Sequence, residues 1–328
     1  MNTVHFVLPA DVDDPAAPSG GNVYDRRLAE GLRAAGWTVH ELHEVNRLAA
    51  LPVGSVVLLD GLLACNAPEI VVPQAERLRL AVLVHLPLAE ETGLSAAAAA
   101  ELDAREREVL HAVAAVVATG PAASGRLAVR HGLSLVHVVP PGVDPQPRAP
   151  GTDGVSSLLC VASVTPRKAQ DVLVEALARV AELPWHCRLA GPLTRAPEYV
   201  GRVRELIARH GLAERIDVLG PRTGLALDAL YAQADLVILP SHAETYGMVV
   251  TEALARGIPV LATEPVAETV GVYGIVVPPG DVGALAGALR HWFEDPVSRE
   301  WLRAQAPELP GWGRTVHDMA DVLTGIAG

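Results

Sequence analysis

One lysine stands among the 26 basic side chains of this 328-residue sequence, Lys168; all the other cations are arginines. An ammonium is a compact point charge on a flexible stem, which a guanidinium fork does not reproduce. Lys168 is therefore a candidate for gripping an anionic ligand, although a chain-wide coding bias toward arginine explains the same count. Glu244 and Glu252 lie eight residues apart, the first just before a helical pattern and the second two turns inside it. Both carboxylates could face one crevice, one toward ligand hydroxyls and one toward a diol such as a ribose. The alternative is a helix-dipole carboxylate followed by a solvated one. Ser19-Gly20-Gly21-Asn22 follows a strand-like run and opens a helical one. Small residues there let backbone N–H groups approach a phosphate at a helix N-terminus, or simply make a tight turn. The segment is not G-x-G-x-x-G, and Glu41 and Glu44 are poor substitutes for the acidic residue that should end the second strand, so the dinucleotide fingerprint fails. His85 closes an apolar run before Leu86-Pro87, a place suited to hydrogen bonding or proton handling near neutral pH, or to capping a strand. His242, close to Glu244, is a weaker candidate of the same kind.

The elements that must position these residues alternate. Apolar runs at Val4–Leu8, Trp37–Leu42, Val56–Leu59, Leu80–Val84, Ala115–Thr119 and Val136–Val139 read as strands. Helical patterns lie between them at Asn22–Ala35, Ala96–Ala114 and Ala122–His131. Pro140-Pro141-Gly142 and the prolines that follow break the pattern. A second alternation then runs from strand Ser157–Val161 to strand Ile275–Val277, and includes a helix predicted at Thr245–Arg256. Helices Val282–Phe293, Arg299–Gln305 and Trp312–Ile326 follow. Such alternation implies parallel strands joined by crossover helices. The fold class is α/β, with two open sheets of similar size and ligand expected in the cleft between their carboxyl edges.

Composition narrows the function classes. The formal charge of −12 argues against nucleic acid or an anionic membrane as the main partner. Half the residues are hydrophobic, enough for sizeable cores. Cys65, Cys160 and Cys187 are scattered, which excludes a disulfide scaffold and a C-x-x-C metal site. No apolar run approaches about 18 residues and no leader pattern opens the chain, so a cytoplasmic location is expected.

The stretch from Ala234-Asp235-Leu236 through Glu244 to Glu252-Ala253-Leu254-Ala255-Arg256-Gly257-Ile258-Pro259-Val260 resembles the C-terminal signature of retaining glycosyltransferase family 4. Val139–Asp144 resembles that family's interdomain segment, and Pro166-Arg167-Lys168 with Asp171-Val172-Leu173 its phosphate-binding lysine turn. Leu189-Ala190-Gly191-Pro192, Leu219-Gly220 and Pro278-Pro279-Gly280-Asp281 resemble further turns. The likeness spans nearly the whole second half; in the first it rests on the Gly pair, His85 and the layout. The resemblance implies a GT-B fold: an acceptor-binding Rossmann-like domain over 1–142, a nucleotide-sugar-binding one over 143–310, and a helix at 311–328 that crosses back to the first. It implies a metal-independent transferase that moves a hexose from a UDP- or GDP-sugar, as co-substrate rather than cofactor, to a soluble small acceptor, with retention of configuration.

By the same resemblance, His85, Lys168 and Glu244 carry catalysis. Gly20, Gly21, Ser163, Arg167, Lys168, Gly191, Glu244, Thr245, Tyr246, Gly247, Met248 and Glu252 bind donor, with Glu244 on the sugar hydroxyls and Glu252 on the ribose. Asp13, Asn22 and His85 meet the acceptor. Where the family has Gly-Arg this chain has Ala162-Ser163, so Arg167 or Ser163 must replace the missing diphosphate contact; where the family has Lys-Gly it has Lys168-Ala169. Asp11-Val12-Asp13 has D-x-D spacing but lies in the first loop, and no metal is expected there. The acidic helix from Ala96 does not suit an anionic bilayer, so no stable membrane association is expected; a homo-oligomer is left open. A sugar-nucleotide epimerase of the same fold and a non-catalytic nucleotide-sugar-binding protein are the alternatives.

Overall fold

The computed structural model describes residues 2–91, 93–305 and 307–328. The chain forms two compact units. The first comprises the chain up to Asp13, Ser19–Gly142 and Pro310–Gly328; the second comprises Asp14–Pro18 and Val143–Leu309.

In the first unit, β1 (Thr3–Val7), β2 (Thr38–Leu42), β3 (Val56–Asp60), β4 (Arg79–Val84), β5 (Ala115–Ala118) and β6 (His137–Val138) form one parallel sheet in the order β2-β1-β3-β4-β5-β6. Its central strands are buried along almost their whole length, as parallel strands covered on both faces must be. The helices are α1 (Gly20–Ala34), α2 (Gly61–Cys65), α3 (Pro68–Val71), α4 (Ala96–Ala112) and α5 (Pro121–His131). The Ser19 hydroxyl starts α1 by accepting from the Asn22 N–H at 3.0 Å. The Asp60 carboxylate does the same for α2 at Leu63.

The second unit repeats the plan. Its strands are β7 (Ser157–Val161), β8 (His186–Ala190), β9 (Ile216–Gly220), β10 (Leu236–Leu239), β11 (Val260–Thr263) and β12 (Gly274–Val277), all parallel, in the order β12-β11-β10-β7-β8-β9. Its helices are α6 (Gln170–Ala178), α7 (Pro197–Arg209), α8 (Gly224–Ala232), α9 (Met248–Ala255), α10 (Ala267–Val270), α11 (Val282–Glu294) and α12 (Pro296–Ala304). This is the doubly wound order of the Rossmann fold. The last helix, α13 (Trp312–Ala327), belongs to the first unit and packs on α1. Gly31 permits the approach, since a Cβ there would lie 2.3 Å from Val316 Cγ2. The Thr315 hydroxyl donates to the Pro140 carbonyl at 2.8 Å.

One boundary corrects the sequence analysis in a way that matters for chemistry. The helix expected from Thr245 begins at Met248, because Gly247 adopts the left-handed conformation (φ +80°) and holds Glu244–Gly247 in a loop. Glu252 is therefore one turn inside α9 rather than two. Among the described residues no helix is long and apolar enough to cross a membrane.

Candidate active site

Strand order reverses between β1 and β3 in the first unit, and between β7 and β10 in the second. Open α/β sheets bind ligands outside the carboxyl ends of the strands at such switch points. The chemistry-bearing residues of each unit collect there.

In the second unit a 3-10 turn over Pro166–Lys168 follows β7, and its last residue, Lys168, ion-pairs with Glu244, which follows β10. Glu244 is buried. It also accepts from the Ser241 hydroxyl at 2.9 Å and lies 3.7 Å from an Arg167 guanidinium nitrogen. Burial pushes the Glu244 carboxyl up, but Lys168 and Arg167 outweigh it and hold the group below its ordinary value. The Arg167 guanidinium donates to the Ala243 carbonyl at 3.1 Å while its buried Nε has no partner. Two cations and a carboxylate thus meet at the switch point of this sheet. Ala169 closes the turn at φ +53°, the only left-handed non-glycine among the described residues; it stands where the sequence departs from the family's Lys-Gly.

Glu252 faces a different set. The buried Tyr231 hydroxyl donates to it at 2.7 Å. Arg256, stacked 4.5 Å from the Tyr231 ring, donates to the Glu252 carbonyl and pairs with Asp228 at 2.6 Å. Burial raises the Glu252 carboxyl. Thr245, Tyr246 and Gly247 form the loop between the two glutamates, and burial pushes the Tyr246 phenol up to about 12. Ser163 lends its carbonyl to Gln170 at 3.1 Å. Gly191 has a steric role: a Cβ there would lie 2.0 Å from the Ala162 carbonyl oxygen, so only glycine lets the end of β8 close on the end of β7.

In the first unit His85, at the end of β4, packs over Gly21, where a Cβ would lie 3.2 Å from its ring. Its Nε2 is 2.8 Å from Asp25 of α1 and 3.7 Å from Asp60 at the end of β3. Burial, reinforced by Asp25, pushes the Asp60 carboxyl up to about 7. For His85 burial acts downward, yet the two carboxylates leave it above its ordinary value. His85, Asp25 and Asp60 are the one group of three or more potential metal-ligating side chains brought together among the described residues. Asn22 donates to the Asp11 carbonyl at 3.1 Å. Asp13 makes a two-pronged pair with Arg26 and is two-thirds exposed. Gly20 starts α1.

Asp25, Asp60, Ser241 and Tyr231 were not among the site residues expected from the sequence. Two of these carried a signal. Asp25 lies on the stripe of α1 that also carries Leu28, Ala29 and Leu32, where a charge needs an internal partner. Asp60 ends an apolar strand immediately before a glycine.

Two doubly wound units with these paired sites make this a GT-B fold, and solved structures agree. The Anabaena protein HepE in complex with UDP-glucose superposes with a TM-score of 0.78 at 18% identity, covering 99% of this chain and 100% of that one. Sucrose-phosphate synthase from Thermosynechococcus elongatus gives 0.76 at 19%, covering 99% of each. Residues 156–295, most of the second unit, match the family model described as "Glycosyl transferases group 1". D-inositol 3-phosphate glycosyltransferases are similar in sequence: that of Nocardiopsis dassonvillei is 32% identical over 57% of this chain and 49% of its own length. That of Actinosynnema mirum is 36% identical over 56% and 50%. The chain spans about half the length of these curated relatives.

Proposed function

We propose that this protein is a glycosyltransferase that moves a sugar from a nucleoside-diphosphate sugar, with retention of configuration, to a small-molecule acceptor. The observation that carries the proposal is the pairing of Lys168 with Glu244, beside Arg167, at the switch point of the unit that matches the group 1 glycosyl transferase model. As the glycosidic bond breaks, negative charge grows on the leaving diphosphate. Cations already fixed at that place stabilise the transition state more than the ground state. Glu244 keeps the ammonium charged and aimed before donor arrives, then turns to the sugar hydroxyls. Arg167 takes the diphosphate contact of the arginine that the family has where this chain has Ala162-Ser163. Glu252 accepts from the ribose diol, backed by Tyr231. The leaving phosphate oxygen takes the acceptor proton, and His85 hydrogen-bonds acceptor and sugar.

Support for the donor class comes from HepE, solved with UDP-glucose. The names of the curated relatives make inositol phosphates the first acceptors to try. The test is incubation of the full chain with UDP-, GDP- and ADP-sugars and an acceptor panel, followed by NMR of the product. A glycoside with the donor's anomeric configuration is expected. Inverted product would reject retention, free sugar alone would indicate an epimerase or hydrolase, and intact donor bound without turnover would indicate a sensor.

A further inference from the structure

We propose that Asp25 is a positioning residue for His85, fixing through one hydrogen bond which imidazole nitrogen carries the proton and how the ring stands over Gly21. Asp25 has this catalytic consequence only if His85 serves the transfer reaction proposed above.

Asp25 is fully buried on a helix whose buried face is otherwise mainly apolar. A carboxylate in such a place needs a strong partner, and the structure supplies His85 Nε2 at 2.8 Å from Oδ1. The second oxygen, Oδ2, is buried with no hydrogen-bond partner. Asp25 is thus held in place by the histidine rather than by α1. A carboxylate accepts, so Nε2 donates, and Nδ1 is the nitrogen whose protonation changes with pH.

Three further residues beside the ring limit its rotation or set its charge. Gly21 at the start of α1 lies under it. Tyr24 meets it edge-on at 5.1 Å, with its hydroxyl donating to the Val139 carbonyl. Asp60, from the end of β3, is the second carboxylate facing it, at 3.7 Å. Asp60 caps α2 through Oδ1, and its Oδ2 lies beyond hydrogen-bond distance of Nε2, whereas Asp25 lies within it. The pairing of an imidazole with a buried carboxylate that selects its tautomer is a general device for holding a proton-handling histidine. Here the two partners are 60 residues apart, on α1 and at the end of β4.

The test is a pH titration of the histidine rings in the 15N-histidine-labelled full chain, with His85→Gln assigning the signal, alongside turnover of Asp25→Asn, His85→Gln and the double variant. In the wild type, His85 is expected as the Nε2–H tautomer with a midpoint above the ordinary value. In Asp25→Asn the midpoint should move to an at least tenfold higher proton concentration, and kcat should drop about tenfold or more with KM for donor little changed. The double variant should be no slower than His85→Gln. An Nδ1–H tautomer in the wild type, an unshifted midpoint in Asp25→Asn, or losses that multiply in the double variant would each overturn the proposal. The wild-type tautomer decides even if Asp25→Asn does not fold. Failure of the glycosyl-transfer reading would show separately, as a wild type that transfers no sugar while the tautomer and the midpoint shift remain.

Discussion

Lys168→Met removes one charge and keeps most of the side-chain volume, leaving Glu244 buried without the ammonium, beside Ser241 and the more distant Arg167. Removing one partner of a buried pair costs roughly 3–5 kcal/mol. With Ser241 and Arg167 still beside it, the loss of stability at pH 7 should sit at the lower end, about 3 kcal/mol. Its pH dependence follows from the Glu244 carboxyl, which the wild type holds low. A depressed acid contributes stability above its unfolded pKa and loses it as pH falls through the folded value. Without the ammonium, burial dominates and the carboxyl rises, so the variant's deficit should be largest near neutrality and shrink as acid protonates Glu244. Urea unfolding from pH 4 to 8 measures this. Turnover should fall at least 30-fold, about 2 kcal/mol in activation free energy. Lys168→Met/Glu244→Gln should regain most of the stability at pH 7 and none of the turnover. A single variant with near-normal turnover, or a double variant whose activity returns with its stability, would refute the assignment of the ammonium to the leaving group.

Asp60, raised from 3.8 to about 7, binds a proton more tightly folded than unfolded, so its contribution to stability is present below about pH 4 and is lost as pH rises through 7. Asp60→Asn, an equally good N-cap, should flatten that part of the stability profile, an effect of up to roughly 4 kcal/mol; an unchanged slope would contradict the assignment. Gly191→Ala should destabilise the second unit by more than about 3 kcal/mol or abolish its folding, because the added methyl meets backbone; a thermal midpoint within a degree or two of the wild type would be the contrary result. Glu252→Ala should weaken nucleoside-diphosphate binding tenfold or more in calorimetry, and should lower stability by about 1–3 kcal/mol by stranding the Tyr231 hydroxyl; unchanged affinity would remove Glu252 from the ribose.

The alternation of apolar strands with helical patterns was readable in the sequence because periodicity is a local property. So was the break at Pro140–Gly142, beside the point where the units divide. Short helices such as Gly61–Cys65, Pro68–Val71 and Ala267–Val270 span about a turn, too little for a period to show. The start of α9 was misplaced because Gly247 enters a left-handed conformation that residue type allows but does not announce. The candidate donor residues were singled out one by one and expected in one crevice, but the Lys168–Glu244 ion pair was not foreseen, since the two are 76 residues apart and only the strand order brings them together. The carboxylates around His85 were missed because a charge on an apolar stripe reads as an exception until its partner is seen.

The central claim is that the Lys168–Glu244 switch point grips the diphosphate of an activated sugar. A crystal structure of the full chain with a bound nucleoside-diphosphate sugar tests it most directly. The diphosphate should lie within hydrogen-bond reach of Lys168 Nζ, with Glu244 released to the sugar hydroxyls and Glu252 on the ribose. A nucleotide seated elsewhere, with Lys168 and Glu244 still paired to each other, would contradict it.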